Sequence, residues 1–262
     1  MARYGQIWMT QMDDIAGRII ENVSVCKGYY RCRIRLSKAM GKVDAGQFVM
    51  VKVPSSEVFL RRPFSILDCG NKVVTILYKV MGKGTDALAR ASRDDRVMVL
   101  GPLGKGFHLE KESKPILVAG GIGVAGIYLL WKRLRGRADV FFGCSTRKEV
   151  ALLGDILRSH PHISTLDGSK GFKGSVVELL ANHLSQSREH VAICACGPAA
   201  MFASLKERLR ETKLPCQVLV EERMACGLGL CFGCVTKTTD DHEPYKRVCM
   251  EGPVFDLWQL SL

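Results

Sequence analysis

The spacing of apolar and polar positions changes character twice along the chain. Between residues 18 and 100, short apolar and β-branched stretches such as 23–25, 48–53 and 73–80 are interrupted every few residues by Gly, Pro, Asn or Asp. That punctuation predicts short strands joined by tight turns, an antiparallel β-barrel. One helix is expected inside it, over residues 85–91, after Gly82-Lys83-Gly84. From Pro115 onward, short apolar strands alternate with stretches of helical period: 116–119, 124–134, 139–142, 150–158, 175–184, 191–194 and 199–210. Such alternation predicts a parallel sheet with helices on both faces. Beyond residues 217–220 the pattern changes again, to four cysteines and three glycines between Cys226 and Cys249. The expected fold is therefore multi-domain, β followed by α/β. A barrel spans 1–112, a nucleotide-binding domain 113–214 and a cysteine-bearing module 215–262, with the charged stretch 110–114 as linker.

Composition narrows the class. At 262 residues, 47% hydrophobic and 24% charged, the chain can bury a substantial core, which excludes wholesale disorder. Its longest apolar run, 116–131, is broken by glycines at 120, 121, 123 and 126 and falls short of the roughly 20 residues a spanning helix needs. No membrane span is expected. The N-terminus reaches Asp13 and Asp14 without the apolar segment of an export signal, so a cytoplasmic protein is expected. Its eleven cysteines should then be reduced and are to be tested as metal ligands before disulfides. The net charge of +12 is scattered, the densest group being Lys132, Arg133, Arg135 and Arg137. Nucleotide phosphates, an acidic protein partner or a solvated surface account for it as well as nucleic acid does.

Three constellations carry chemistry. Cys226, Cys231, Cys234 and Cys249 stand in a C-x4-C-x2-C-x14-C arrangement among Gly227, Gly229 and Gly233. The x4 then x2 spacing is that of plant-type 2Fe-2S sites, whereas zinc more often takes two C-x2-C pairs or Cys with His. The other seven cysteines are scattered and are expected to be small core residues. Second, Gly120, Gly121, Gly123 and Val124 end one expected strand and open a helix, where glycine lets a backbone approach a pyrophosphate at a helix N-terminus. The alternative is a packing turn. Cys196-Gly197-Pro198 ends a later strand at the same sheet edge, where ligands of parallel sheets bind. Third, the barrel carries Arg61-Arg62-Pro63-Phe64-Ser65, Leu77-Tyr78-Lys79 and Gly84-Thr85. This set offers a guanidinium fork for phosphate, a hydroxyl for a heterocycle and groups that can lie against a flat ring.

In that order these motifs resemble the ferredoxin reductase superfamily, whose flavin barrel carries R-x-[FY]-[ST]. The resemblance is closest to the iron-sulfur flavoprotein, or electron-transfer, subunits of class 1B dihydroorotate dehydrogenases. It extends through Gly101-Pro102-Leu103-Gly104, Glu222-Arg223-Met224-Ala225-Cys226-Gly227, Gly252-Pro253-Val254-Phe255 and the final Gln259-Leu260-Ser261-Leu262. It implies FAD held by Arg62, Pro63, Phe64 and Ser65, lined by Leu77, Tyr78 and Lys79, with Gly84 and Thr85 at its pyrophosphate. It further implies a 2Fe-2S cluster on the four cysteines and NAD on the α/β domain. The implied partner is an FMN-containing dihydroorotate dehydrogenase catalytic subunit in a heterotetramer of two copies of each. Electrons leaving dihydroorotate there would reach NAD+ through the cluster and FAD, in pyrimidine (UMP) biosynthesis. No nucleic-acid or membrane partner is expected.

Two departures stand out. Ala125-Gly126 follow the loop valine where the family commonly has prolines, and Lys79 stands where Arg is frequent, keeping the charge but not the planar fork. Past the second α/β strand, Arg147 and Lys148 precede any acid, the first being Glu149. Local chemistry thus leans toward NADP while the resemblance leans toward NAD. The six histidines show no metal or triad spacing and are read as surface or satisfied core residues. Two rivals remain: a related NAD(P)H-ferredoxin or sulfide-linked flavoprotein reductase subunit, and a zinc-bearing basic module that binds nucleic acid.

Overall fold

The structure, a computed structural model, describes residues 14–53, 57–110, 113–185 and 191–262. The expected absence of an export signal and the middle of the expected linker therefore lie outside the described residues. The first unit comprises β1 (Asp14–Cys26), β2 (Tyr29–Leu36), β3 (Phe48–Lys52), β4 (Arg62–Ser65), β5 (Asp68–Gly70), β6 (Val73–Lys79), α1 (Lys83–Ala89) and β7 (Arg96–Leu103). They form one antiparallel sheet in the order β4-β3-β7-β1-β2-β6-β5. Side chains alternate across it as the period of two requires. On β2, Cys32, Ile34 and Leu36 point inward, and Arg31, Arg33 and Arg35 outward. The sheet rolls until Phe64, on edge strand β4, meets Tyr78 of β6 with ring centroids 5.6 Å apart. That closure makes it a barrel.

The second unit contains β8 (Lys114–Gly120), α2 (Val124–Leu134), β9 (Asp139–Cys144), β10 (His162–Thr165), β11 (Phe172–Lys173), α3 (Val176–Leu184), β12 (Val191–Cys196), α4 (Ala199–Arg208) and β13 (Cys216–Leu219). The chain then makes a small ribbon, β14 (Val235–Lys237) and β15 (Tyr245–Arg247), and ends with β16 (Val254–Asp256). The sheet order is β11-β10-β9-β8-β12-β13-β16. All pairings in it are parallel except the last. Alternate residues of β8 divide the core: Leu117 and Ala119 pack with Val124 and Ile127 of α2. Ile116 and Val118 pack with Val177 of α3 and Phe202 of α4. Helices thus cover both faces, and every residue of β12 is buried, as expected of a strand covered on both sides.

Two features differ from the sequence expectation. Residues 150–158 are not an α-helix. The segment Arg147–Ser159 is a run of 3-10 turns broken at Gly154, whose φ of 52° interrupts the helical path. The nucleotide sheet also runs past residue 214, because β13 is buried beside β12 and β16 returns to pair with it. The cysteine segment is therefore an insertion between two neighbouring strands. Among the described residues, no helix is long and apolar enough to cross a membrane.

Candidate functional site

The carboxyl ends of β8, β9 and β12 open into a cavity of about 520 Å³. Strand order reverses between β8 and β12, the crevice where open α/β sheets take their ligands. Gly120, Gly121, Gly123, Gly197 and Pro198 line it. Val124 and Cys196 lie beneath and are fully buried, so these two expected contacts are packing residues, and burial pushes the Cys196 thiol well up. Gly123 makes the close approach: a Cβ there would lie 2.1 Å from the Cys196 carbonyl oxygen. Gly126 has a similar reason, since its Cβ would lie 2.7 Å from Cys196 Sγ. A side chain in place of Gly126 would collide with β12, which explains one residue of the Ala125-Gly126 departure.

One wall of this cavity carries Ser145 and Glu149 after β9, faced by Tyr29 and Lys79 from the barrel. Tyr29 donates its hydroxyl to Glu149 Oε1 at 3.0 Å, and the Ser145 amide donates to Oε2 at 2.8 Å. Burial, followed by the Glu149 hydrogen bond, raises the Tyr29 phenol above its ordinary value. Lys79 Nζ lies 5.3 Å from the Tyr29 ring centroid, at the rim of this cavity. Arg147 and Lys148 are exposed and do not line it.

A second cavity, of about 330 Å³, separates Pro63, Phe64 and Ser65 of β4 from Glu222, Arg223 and Met224. Glu221 lines both cavities. Its side chain still meets solvent in the open cleft, yet the surrounding protein desolvates it enough to raise its pKa. Beside the smaller cavity, Arg62 Nη1 donates to the Leu60 carbonyl at 2.8 Å, and its Nε packs against Gly84, where a Cβ would come within 2.5 Å. Arg61 turns elsewhere and pairs with Asp14 at 2.6 Å. Thr85 Oγ1 accepts from the Met81 and Gly82 amides, so its hydroxyl holds the turn. Leu77 and Tyr78 are buried, and the Tyr78 hydroxyl donates to Asn22 Oδ1 at 3.0 Å. The Tyr78 ring supports Phe64, their centroids 5.6 Å apart.

The four cysteines stand as two pairs. Cys226 and Cys231 are 3.3 Å apart at sulfur, and Cys234 and Cys249 are in hydrogen-bond contact. Among the described residues, no three Cys, His, Asp or Glu side chains converge on a single-ion site. Two pairs fit a two-iron cluster, with two thiolates to each iron, better than one tetrahedral zinc. Amides surround the sulfurs: Leu228 N donates to Cys226, Gly229 N to Cys249 and Gly233 N to Cys231, at 3.1–3.4 Å. Burial raises the Cys226 thiol, but donation from the Leu228 amide and from Cys231 outweighs it and brings the pKa down to about 7. Burial, with Cys234 beside it, pushes Cys249 up to about 12.

Residues 221–261 match the model of the iron-sulfur cluster binding domain of dihydroorotate dehydrogenase B. A dihydroorotate dehydrogenase B (NAD(+)) electron transfer subunit from Listeria welshimeri is 35% identical over 94% of this chain and 98% of its own. One from Geobacillus kaustophilus is 40% identical over 83% and 86%. The chain belongs to this electron transfer subunit family.

Solved structures agree with the family's architecture. An NADH-dependent reduced ferredoxin-NADP oxidoreductase superposes with a TM-score of 0.81 at 25% identity, covering 94% of this chain and 89% of that one. Phthalate dioxygenase reductase shares the fold, with a TM-score of 0.65 at 17% identity over 90% and 94%. Beyond what its motifs announce, this family member holds Tyr29, Glu149 and Glu221 in its clefts. Glu149 was visible as the first acid after the strand. Tyr29 gave no signal, because it meets Glu149 across 120 residues of chain.

Proposed function

We propose that this chain carries electrons between an FMN-containing dihydroorotate dehydrogenase catalytic subunit and NAD(H), holding FAD in the cavity beside β4 and a 2Fe-2S cluster on Cys226, Cys231, Cys234 and Cys249. The observation that carries the reading is the continuity of three sites: cysteine pairs, a cavity opening at Met224, and a nucleotide cleft that shares Glu221 with it. When bound, FAD supplies the exchange between a hydride pair and single electrons, and the cluster supplies the one-electron path.

This chain's residues do the rest. Arg62, packed over the bare backbone of Gly84, offers its fork to flavin phosphate. Pro63 and Phe64 form an apolar wall, and the Ser65 hydroxyl can hydrogen-bond the ring. Gly120, Gly121 and Gly123 present backbone to the nucleotide, with Gly197 and Pro198 opposite. Amides of Leu228, Gly229 and Gly233 stabilise negative charge on the cysteine sulfurs, a recognised influence on cluster potential.

Cys231 is exposed while Cys234 and Cys249 are buried, and Leu230 and Phe232 beside it are 79% and 63% exposed. That apolar rim is the face offered to the catalytic subunit. The assembly is a heterotetramer of two copies of each subunit. It works in the cytoplasm, a compartment that suits eleven unpaired thiols. Cys231→Ser tests the reading: FAD and flavin reduction by NADH are kept, while iron content and partner-linked electron transfer fall. Full iron with unchanged partner-linked turnover would reject it.

A further inference from the structure

We infer that Arg247 positions the cysteine loop and thereby sets how readily a 2Fe-2S cluster held there accepts an electron, which rests on reading Cys226, Cys231, Cys234 and Cys249 as its ligands. The root of this side chain is fixed. Arg247 pairs with Val235 across the β14–β15 ribbon, so it stands beside the residue that follows Cys234 and two positions before Cys249. The Val248 amide donates to the Cys234 carbonyl at 2.8 Å, which closes the ribbon against the buried cysteine pair.

From there the guanidinium reaches the rest of the loop. Its Nη1 donates to the Gly229 carbonyl at 3.0 Å, between Cys226 and Cys231. Its Cζ lies 4.9 Å from the centroid of the Phe232 ring, between Cys231 and Cys234. Nε and Nη2 donate to the two carboxylate oxygens of Glu251, and Glu251 Oε2 also accepts the Arg247 amide at 2.7 Å. A two-pronged pair of this kind fixes the plane of the guanidinium. One side chain therefore joins all three segments that separate the four cysteines.

Two of the residues it holds do not fix themselves. Gly229 and Phe232 both have positive φ, 74° and 54°. Glycine leaves the direction of its backbone weakly determined, and a bulky residue in the left-handed region persists only where its surroundings hold it. Both positions bear on the sulfurs. The Gly229 amide donates to Cys249 Sγ at 3.1 Å, and the Gly233 amide, directly after Phe232, donates to Cys231 Sγ at 3.4 Å.

Taking up one electron from a reduced flavin adds one negative charge over the sulfur ligands and forms or breaks no bond. Amide donors and a nearby cation stabilise that charge, and each raises the potential. Arg247 supplies the cation and the direction of the Gly229 amide. Glu251 neutralises the cation at close range, which leaves the directional effect as the larger one. Arg247 is thus a positioning residue. Lysine in its place would keep the charge, but a single nitrogen could not serve Gly229, Glu251 and the Phe232 ring together.

The test titrates the cluster potential of the holoprotein by its visible and EPR signals, with iron loss to a chelator and the flavin potential followed on the same samples. Arg247→Gln should move the reduced-to-oxidised ratio of the cluster about tenfold toward oxidised, the lower range of one hydrogen bond to a charged group. For one electron that is a fall of roughly 59 mV. Iron loss should quicken, while the flavin potential and flavin reduction by NADH stay as in wild type. Arg247→Lys should lower the cluster potential as well, though less. A merely structural clamp would reduce iron content and leave the remaining clusters at their old potential, so an unchanged potential in Arg247→Gln overturns the inference. A wild-type potential in Arg247→Lys overturns it too, because charge alone would then suffice, and so does an equal fall at the flavin, which would mean a general disturbance. If Arg247→Gln retains no cluster, Arg247→Lys decides: a lowered potential upholds the inference and a wild-type one overturns it. Wild-type protein that binds no iron would instead overturn the reading of the four cysteines.

Discussion

Gly84→Ala should separate flavin binding from stability, because its two consequences have opposite signs. Gly84 lies in the first turn of α1, and an alanine Cβ there would sit 2.5 Å from Arg62 Nε, 3.0 Å from Cζ and 3.1 Å from Cγ. The obstructed group is the outer part of a flexible side chain, so the fold can yield by swinging Arg62 away. Glycine in a helix is less favourable than alanine by up to about 1 kcal/mol, so the apoprotein should hold or gain stability. The displaced guanidinium can no longer meet the flavin phosphate from its present position. Losing one charge-assisted hydrogen bond costs on the order of 1.5–3 kcal/mol, or roughly a ten- to hundredfold weaker FAD complex. Arg62→Ala should weaken binding to a similar extent. Arg61→Ala should not, because Arg61 is engaged with Asp14. Fluorescence titration of apoprotein with FAD and thermal melts of the same samples give both quantities. The reasoning is refuted if Gly84→Ala binds FAD as wild type does while Arg62→Ala fails, or if the two arginines matter equally.

Gly123→Ala drives a Cβ to 2.1 Å from the Cys196 carbonyl, backbone that cannot swing aside. A cost of about 1–3 kcal/mol should lower the melting midpoint by several degrees and weaken nucleotide binding, and an unchanged melt would reject the tight seating of this turn. Partial desolvation against Phe141, with His183 nearby, holds the exposed His162 below its ordinary 6.5, against a smaller opposing pull from Asp139. A depressed folded pKa means stability that is present above 6.5 and lost as pH falls through the folded value. Melts across that range should show His162→Phe losing less than wild type on acidification, and identical acid limbs would reject the assignment.

The sequence was most readable where the deciding interactions are local. The period of two on β2 assigns Arg31, Arg33 and Arg35 to the outside, and the run from Ile116 to Val124 marks a strand, a glycine turn and a helix within nine residues. The cysteine spacing likewise implied a shared cluster before any contact was known. What stayed hidden depends on chain closure. Arg62 meets Gly84, and Tyr29 meets Glu149, only after strands far apart in sequence have docked. Lys79 ends β6, and its place at the rim of the larger cleft follows from how barrel and sheet dock, which its motif does not announce. The apolar period around Gly154 is helical, and only its positive φ ends that path.

The placement of the cysteine insertion has a consequence for electron transfer. The segment leaves the nucleotide sheet after Leu219 and returns at Val254, residues that are direct partners in the β13–β16 pairing. Its two ends are therefore held by adjacent strands. The Val220 amide donates to the Pro253 carbonyl at 2.8 Å and the Lys105 amide to the Gly252 carbonyl at 2.6 Å, which ties the barrel to the same point. Gly227 packs on Met50 of β3, where a Cβ would lie 2.7 Å from Cγ. Barrel, nucleotide sheet and cysteine loop are thus bonded together around the smaller cavity, which Pro253, Phe64 and Met224 border from three sides. One-electron transfer needs fixed separations, whereas hydride transfer needs a cleft that admits and releases a nucleotide. On the proposed reading the fold meets both needs by bonding the cysteine segment beside the smaller cavity and leaving the larger cleft open.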